Sequence, residues 1–139
     1  MMINKKPSFV SGTGNIPLLF KTIGNLLEET ANKYPKRQAL ISCHQGISLN
    51  YTELNNKVDK VAKSLMALGV SKGDRVGIWS PNCTEWVLTQ FATAKIGAIL
   101  VCLNPAYRKG ELEYSLNKVK CKVLVTATSF KSSNYISML

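Results

Sequence analysis

The sequence predicts an α/β fold of three layers around a mainly parallel sheet, a β-hairpin followed by β-α-β-α-β. Three observations predict it. The runs Arg75–Trp79, Ala98–Leu103 and Lys122–Thr126 are short and nearly continuously apolar, the pattern of strands covered on both faces. Helix-compatible stretches, Cys83–Ile96 and Glu111–Val119, separate them. Breakers punctuate each junction: Ser80-Pro81-Asn82, Gly97 and Asn104-Pro105. Strand–helix–strand alternation of this kind gives parallel pairing through right-handed crossovers.

Residues 1–20 read as an irregular arm, with residues 21–139 as the folded part. Lys5 and Lys6 precede no continuous apolar segment, so a secretory signal is not expected, and the first arginine, Arg37, comes late for a strong mitochondrial presequence. Ser11-Gly12-Thr13-Gly14 contains a G-x-G, but no strand precedes it and no third glycine follows, so it reads as a flexible arm and not as a phosphate loop.

Thr22 to Tyr34 is a helix by the spacing of Ile23, Leu26, Leu27, Thr30 and Ala31, and Pro35 ends it. Gln38–Ser42 and Ile47–Leu49 flank His44-Gln45-Gly46 as a hairpin. Asn50 and Glu53 form a capping-box signature. Leu54, Val58, Val61, Leu65 and Leu68 then mark one helical face, expected to be core, with Gly69 as the C′ residue. The Cys83–Ile96 helix is apolar on several sides, which predicts burial by more than one neighbour, with Trp86 and Phe91 in the core. After the third parallel strand, Thr128 or Ser129 is expected to cap one more helix, carrying Phe130, Tyr135, Ile136 and Leu139. Its stripe is only beginning at Leu139, and the last sheet edge has no covering strand, so the expectation is a truncated domain.

The chain has 139 residues, 45% hydrophobic and 19% charged, which suits one globular domain. No apolar run approaches the roughly 20 residues of a membrane span. The net charge of +10 raises nucleic-acid binding as a reading. The basic residues are dispersed and not interleaved with aromatics, so no nucleic-acid partner is expected. The four cysteines, at 43, 83, 102 and 121, make no C-x-x-C pair, which argues against structural zinc. Cys102, in an apolar strand, is expected to be a buried thiol, and reduced thiols fit an intracellular compartment.

Ligands of open α/β sheets bind beyond the carboxyl ends of the strands. Here those ends are Ser80-Pro81-Asn82, Asn104–Arg108 and Thr126–Thr128. Asn82 is expected to cap the following helix or, alternatively, to help orient its N–H groups toward an anion. Arg108 and Lys109, beside Tyr107, are candidates for a phosphate-bearing ligand, with a solvated loop as the alternative. His44, the only histidine, sits at a turn without nearby ligand partners and reads as solvated. Gly77–Pro81 lacks the nucleophile-elbow spacing, and no Walker A or H-E-x-x-H sequence occurs. Neither Glu28-Glu29 nor Glu111-x-Glu113 forms an acid–base pair; both lie on helix surfaces. No catalytic residue and no metal ligand is assignable from the residues alone.

From about Phe20 onward, the order of segments resembles a known family. The carrying residues are Thr22–Leu27, Tyr51-Thr52-Glu53-Leu54, Leu68-Gly69-Val70-x-Lys72-Gly73-Asp74-Arg75-Val76, Pro81-Asn82-x-x-Glu85-Trp86 and Ala94-x-x-Gly97-Ala98. The longest is Asn104-Pro105-Ala106-Tyr107-Arg108-x-x-Glu111-Leu112-Glu113-Tyr114, continued by Asn117-Lys118-Val119-x-Cys121-Lys122. Together they resemble the start of the adenylate-forming acyl-CoA synthetases, and are most similar to mitochondrial medium-chain fatty acid ligases. The resemblance implies ATP, magnesium and coenzyme A, an acyl-adenylate intermediate and a thioester product. It places the Gly-rich phosphate loop, the ribose-binding aspartate and the adenylating lysine beyond Leu139, and Thr126–Ser129 lacks the glycine of that loop. An isolated chain is therefore expected to be inactive. The alternative expectation is a non-catalytic module that associates with itself, a full-length relative or another protein through its unpaired sheet edge. A mitochondrial location follows from the resemblance, and a cytoplasmic one if the arm does not act as a presequence.

Overall fold

Side chains at the helix starts fix much of the architecture. In the computed structural model, which describes residues 12, 14–16 and 18–139, Thr22 opens α1 (Ile23–Lys33), its hydroxyl accepting from Asn25 N at 3.2 Å. The Ser11–Gly14 segment and the arm at 1–20 fall largely outside the described residues. The hairpin expected next is present, with β1 (Gln38–Ser42) antiparallel to β2 (Ile47–Asn50). A single 3-10 turn at Cys43–Gln45 joins them, closed by Gly46 at φ +64°.

The capping box forms as the sequence predicts. Asn50 Oδ1 accepts from Glu53 N and Glu53 Oε2 accepts from Asn50 N, both at 2.9 Å, opening α2 (Tyr51–Ala67). Leu54, Val58, Ala62 and Leu65 are buried along it. Leu68, expected on that stripe, is exposed, because Gly69 at φ +84° turns the chain away from the helix.

The sheet follows: β3 (Arg75–Trp79), α3 (Thr84–Ile96), β4 (Ile99–Leu103), α4 (Lys109–Val119) and β5 (Val123–Thr126). Its order is β4-β3-β5, all parallel. Trp79 lies level with Leu103 on one side and with Thr126 on the other. Residues alternate between two cores. Val76, Val123 and Val125 face Leu27, Leu54, Val58, Leu65 and Ala92 of α1–α3. Trp79, Val101, Leu103 and Leu124 face Leu112 and Leu116 of α4. Three layers result, as expected for strands apolar on both faces.

As predicted, α3 is packed by more than one neighbour, touching both α1 and α2. Its fully buried residues, however, are Thr84, Thr89, Ala92 and Thr93. Phe91 packs against the core from a partly buried position, while Trp86 belongs to neither core and stays half-exposed. Small side chains at the contact let the helices approach closely. Thr89 and Thr93 satisfy their hydroxyls on carbonyls one turn back, at 2.8 and 2.9 Å.

The terminal helix expected from Thr128 or Ser129 does not form. The chain makes a short hairpin, β6 (Ser129–Phe130) with β7 (Ser133–Asn134), then one 3-10 turn at Ile136–Met138. Ser, Thr and Asn side chains dominate Thr128–Asn134 and compete for backbone groups, which disfavours a helix interior. Asn134 Oδ1, for instance, accepts from Ser137 N at 3.1 Å. The hairpin delivers Phe130 and Tyr135 to the α4-side core, with Tyr135 fully buried. Cys102, expected to be buried, is exposed, because β4 is an edge strand whose outer flank no described element covers.

Candidate functional site: the crevice at the carboxyl ends of the strands

From β3 the chain runs through α3 to β4 on one side, then through α4 to β5 on the other. The reversal leaves a crevice between the carboxyl ends of β3 and β5, where open α/β sheets take their ligands. A cavity of about 350 Å³ lies there, lined by Gln45, Ser80, Cys83, Glu85, Thr126 and Thr128 among others. Thr126 Oγ1 and Ala127 N both donate to Trp79 O, at 3.2 and 3.1 Å, so the two strand ends are tied at its floor.

Gln45, from the hairpin turn, organises one wall. Its Oε1 accepts from Thr84 N at 2.7 Å and from the Ser42 hydroxyl at 2.8 Å, while its Nε2 donates to Glu85 Oε2 at 2.9 Å. That last bond, then one from the Glu85 backbone, holds the Glu85 carboxyl below its ordinary range. Asn82 was the residue expected to cap this helix, and the structure gives the position to Cys83. Cys83 makes no side-chain capping bond; its Sγ lies 3.3 Å from the Ser80 hydroxyl. The α3 amide that Asn82 would have served is taken by Gln45, 39 residues away, a partner that no local spacing announces. Thr84 Oγ1, next in the chain, is buried without a hydrogen-bond partner.

A second groove, of about 550 Å³, opens between the ends of β3 and β4 and is lined by Trp86, Cys102, Tyr107 and Phe130 with two prolines, Pro81 and Pro105. Beneath it the Asn104-Pro105 turn is held by two aromatic donors. Trp79 Nε1 donates to Asn104 O at 3.1 Å, and the Tyr135 hydroxyl donates to Pro105 O. Asn104 Oδ1 closes the turn by accepting from Ala106 N at 2.9 Å. Tyr107 therefore reaches the groove. Arg108 and Lys109 are exposed at the start of α4 and line neither cavity, and Arg108 N donates to Glu111 Oε2 at 3.0 Å. His44 is exposed on the hairpin turn. Among the described residues, no three His, Cys, Asp or Glu side chains converge as a metal site requires, and no helix is long and apolar enough to cross a membrane.

This layout coincides with a family profile. The profile described as AMP-binding enzyme matches residues 27–138. The chain belongs to the AMP-binding enzyme family. Among its relatives is the mitochondrial medium-chain acyl-CoA ligase ACSF2 of Macaca fascicularis, 48% identical over 132 residues, covering 95% of this chain and 21% of that protein. The ACSF2 of Homo sapiens is 47% identical, covering 95% of this chain and 22% of the relative. The putative acyl-CoA synthetase YngI of Bacillus subtilis is 42% identical, covering 85% and 22%. Thus the chain spans about a fifth of the length of the curated relatives it matches. Among solved structures, the N-terminal domain of FACL13 from Mycobacterium tuberculosis superposes with a TM-score of 0.75 at 31% identity, covering 77% of this chain and 27% of that one. A Mycobacterium tuberculosis fatty acyl CoA synthetase gives 0.74 at 30% identity, covering 76% and 21%. The sequence motifs from Leu27 onward lie within the matched span, and the parallel sheet expected from the apolar runs is the one observed.

Proposed function

We propose that residues 21–139, preceded by an arm at 1–20, form scaffold of the adenylating domain of an ATP-dependent medium-chain fatty acid–CoA ligase. The reaction converts a fatty acid, ATP and coenzyme A to acyl-CoA, AMP and pyrophosphate. The 46–48% identity to ligases named for medium-chain acids, across 95% of this chain, carries the reading. By themselves these residues do not turn over. Among the described residues the crevice holds one carboxylate, Glu85, engaged by Gln45, and no lysine or arginine lines it. ATP, magnesium and coenzyme A would act in the longer ligase. Arg108 and Lys109 are the residues of this chain proposed to meet a phosphate-bearing ligand, since both are solvent-exposed just after the β4 turn. The location proposed is mitochondrial, in keeping with the printed names of the ACSF2 relatives.

ATP–pyrophosphate exchange with octanoic acid tests the reading. The purified 139-residue protein is expected to give none, and turnover would overturn its inactivity. A chimera placing residues 21–139 in the corresponding segment of an ACSF2 relative is expected to retain exchange with medium-chain acids, and a folded but inactive chimera would count against the scaffold role.

A second reading has its own observation. The outer edges of β4 and β5 pair with no described strand, so the sheet can accept another strand on either side. On that reading the chain is a non-catalytic module that binds a full-length relative. Size-exclusion chromatography of the mixture checks it, and separate elution at micromolar concentration would exclude it.

A further inference from the structure

We draw no further inference here: the strongest candidate, the aromatic groove between the carboxyl ends of β3 and β4 lined by Trp86, Tyr107 and Phe130, lies open in a chain that spans about a fifth of the length of its relatives, and nothing in the structure shows what covers it.

Discussion

Trp79 and Tyr135 stack face to face, their ring centroids 3.6 Å apart and their planes 7° from parallel. One comes from the central strand and the other from the last turn of the chain, and both give their polar hydrogens to the Asn104-Pro105 turn. Two strand ends, those of β3 and β4, and the terminal segment thereby share one buried joint. Tyr135→Phe keeps the stack and loses one hydrogen bond, and is expected to cost about 1 kcal/mol in urea denaturation. Tyr135→Ala removes the ring and is expected to cost about 3–5 kcal/mol, with loss of near-UV circular dichroism from the stacked pair.

Gln45 is the link between the hairpin and α3. Gln45→Ala leaves Thr84 N without its acceptor and Glu85 without its donor. The expected loss is about 1–2 kcal/mol, close to that of deleting an N-cap. Hydrogen exchange is expected to accelerate in the first turn of α3 while α2 stays protected. Unchanged protection there would mean that water substitutes fully for Gln45.

The same contact sets an acid limit. Glu85 is held below its ordinary pKa of 4.5, so it binds fewer protons folded than unfolded. Its contribution is therefore complete above the unfolded value and disappears as pH falls through the lower folded one. Melting temperature plotted against pH is expected to drop across that acid window, and more shallowly in Gln45→Ala. Parallel curves would assign the acid loss to other carboxylates.

Lys95 ties three helices together, with Nζ at 2.8 Å from Glu28, 2.8 Å from Asn55 and 2.6 Å from Asp59. Burial pulls its pKa down, and the bonds to Asp59 and Glu28 more than offset this, so the net direction is upward from 10.5. The stabilisation is thus present at neutral pH and is lost only as pH rises through the raised value. Lys95→Met is expected to cost about 1–2 kcal/mol, limited because both carboxylates are partly solvated. The difference from the parent chain is expected to shrink in strongly alkaline urea titrations.

Gly77 lies mid-strand in β3 because nothing larger fits. An added Cβ would sit 3.0 Å from both Cys121 Sγ and Leu124 Cδ1. The thiol also accepts a hydrogen bond from Gly77 N at 3.1 Å, so it is not free to retreat. Gly77→Ala is expected to destabilise by about 1–3 kcal/mol, an overpacking cost, measured by thermal denaturation.

Local signals were the most legible in the sequence. Asn50 with Glu53, Gly69, Gly97, and the apolar runs at 75–79 and 123–126 each encode their element through neighbours a few residues away. The segment after Thr126 misled because its apolar residues have helical spacing, whereas Tyr135 is bound by a ring 56 positions earlier, outside any local window. Cys102 misled for a related reason: an apolar strand reads the same in the middle of a sheet and at its edge. Asn82 looked like a cap by type and place, and it lost to a glutamine brought in by tertiary folding. The carboxyl ends of the strands were identifiable as the candidate site from topology, but the residues lining the crevice come from the hairpin, β3, α3 and β5 and meet only in three dimensions.

The central position of β3 sets an order of events during folding. The hairpin and α2 can form from contacts within residues 38–67, soon after those residues leave the ribosome. The sheet cannot close until Val123–Thr126 arrives, since Thr126 meets Trp79 across 47 residues of chain. Until then β3 carries an open edge and an uncovered apolar face. During the interval between synthesis of Trp79 and of Thr126 an apolar face and a strand edge stand open together, the condition in which nascent chains are prone to aggregate.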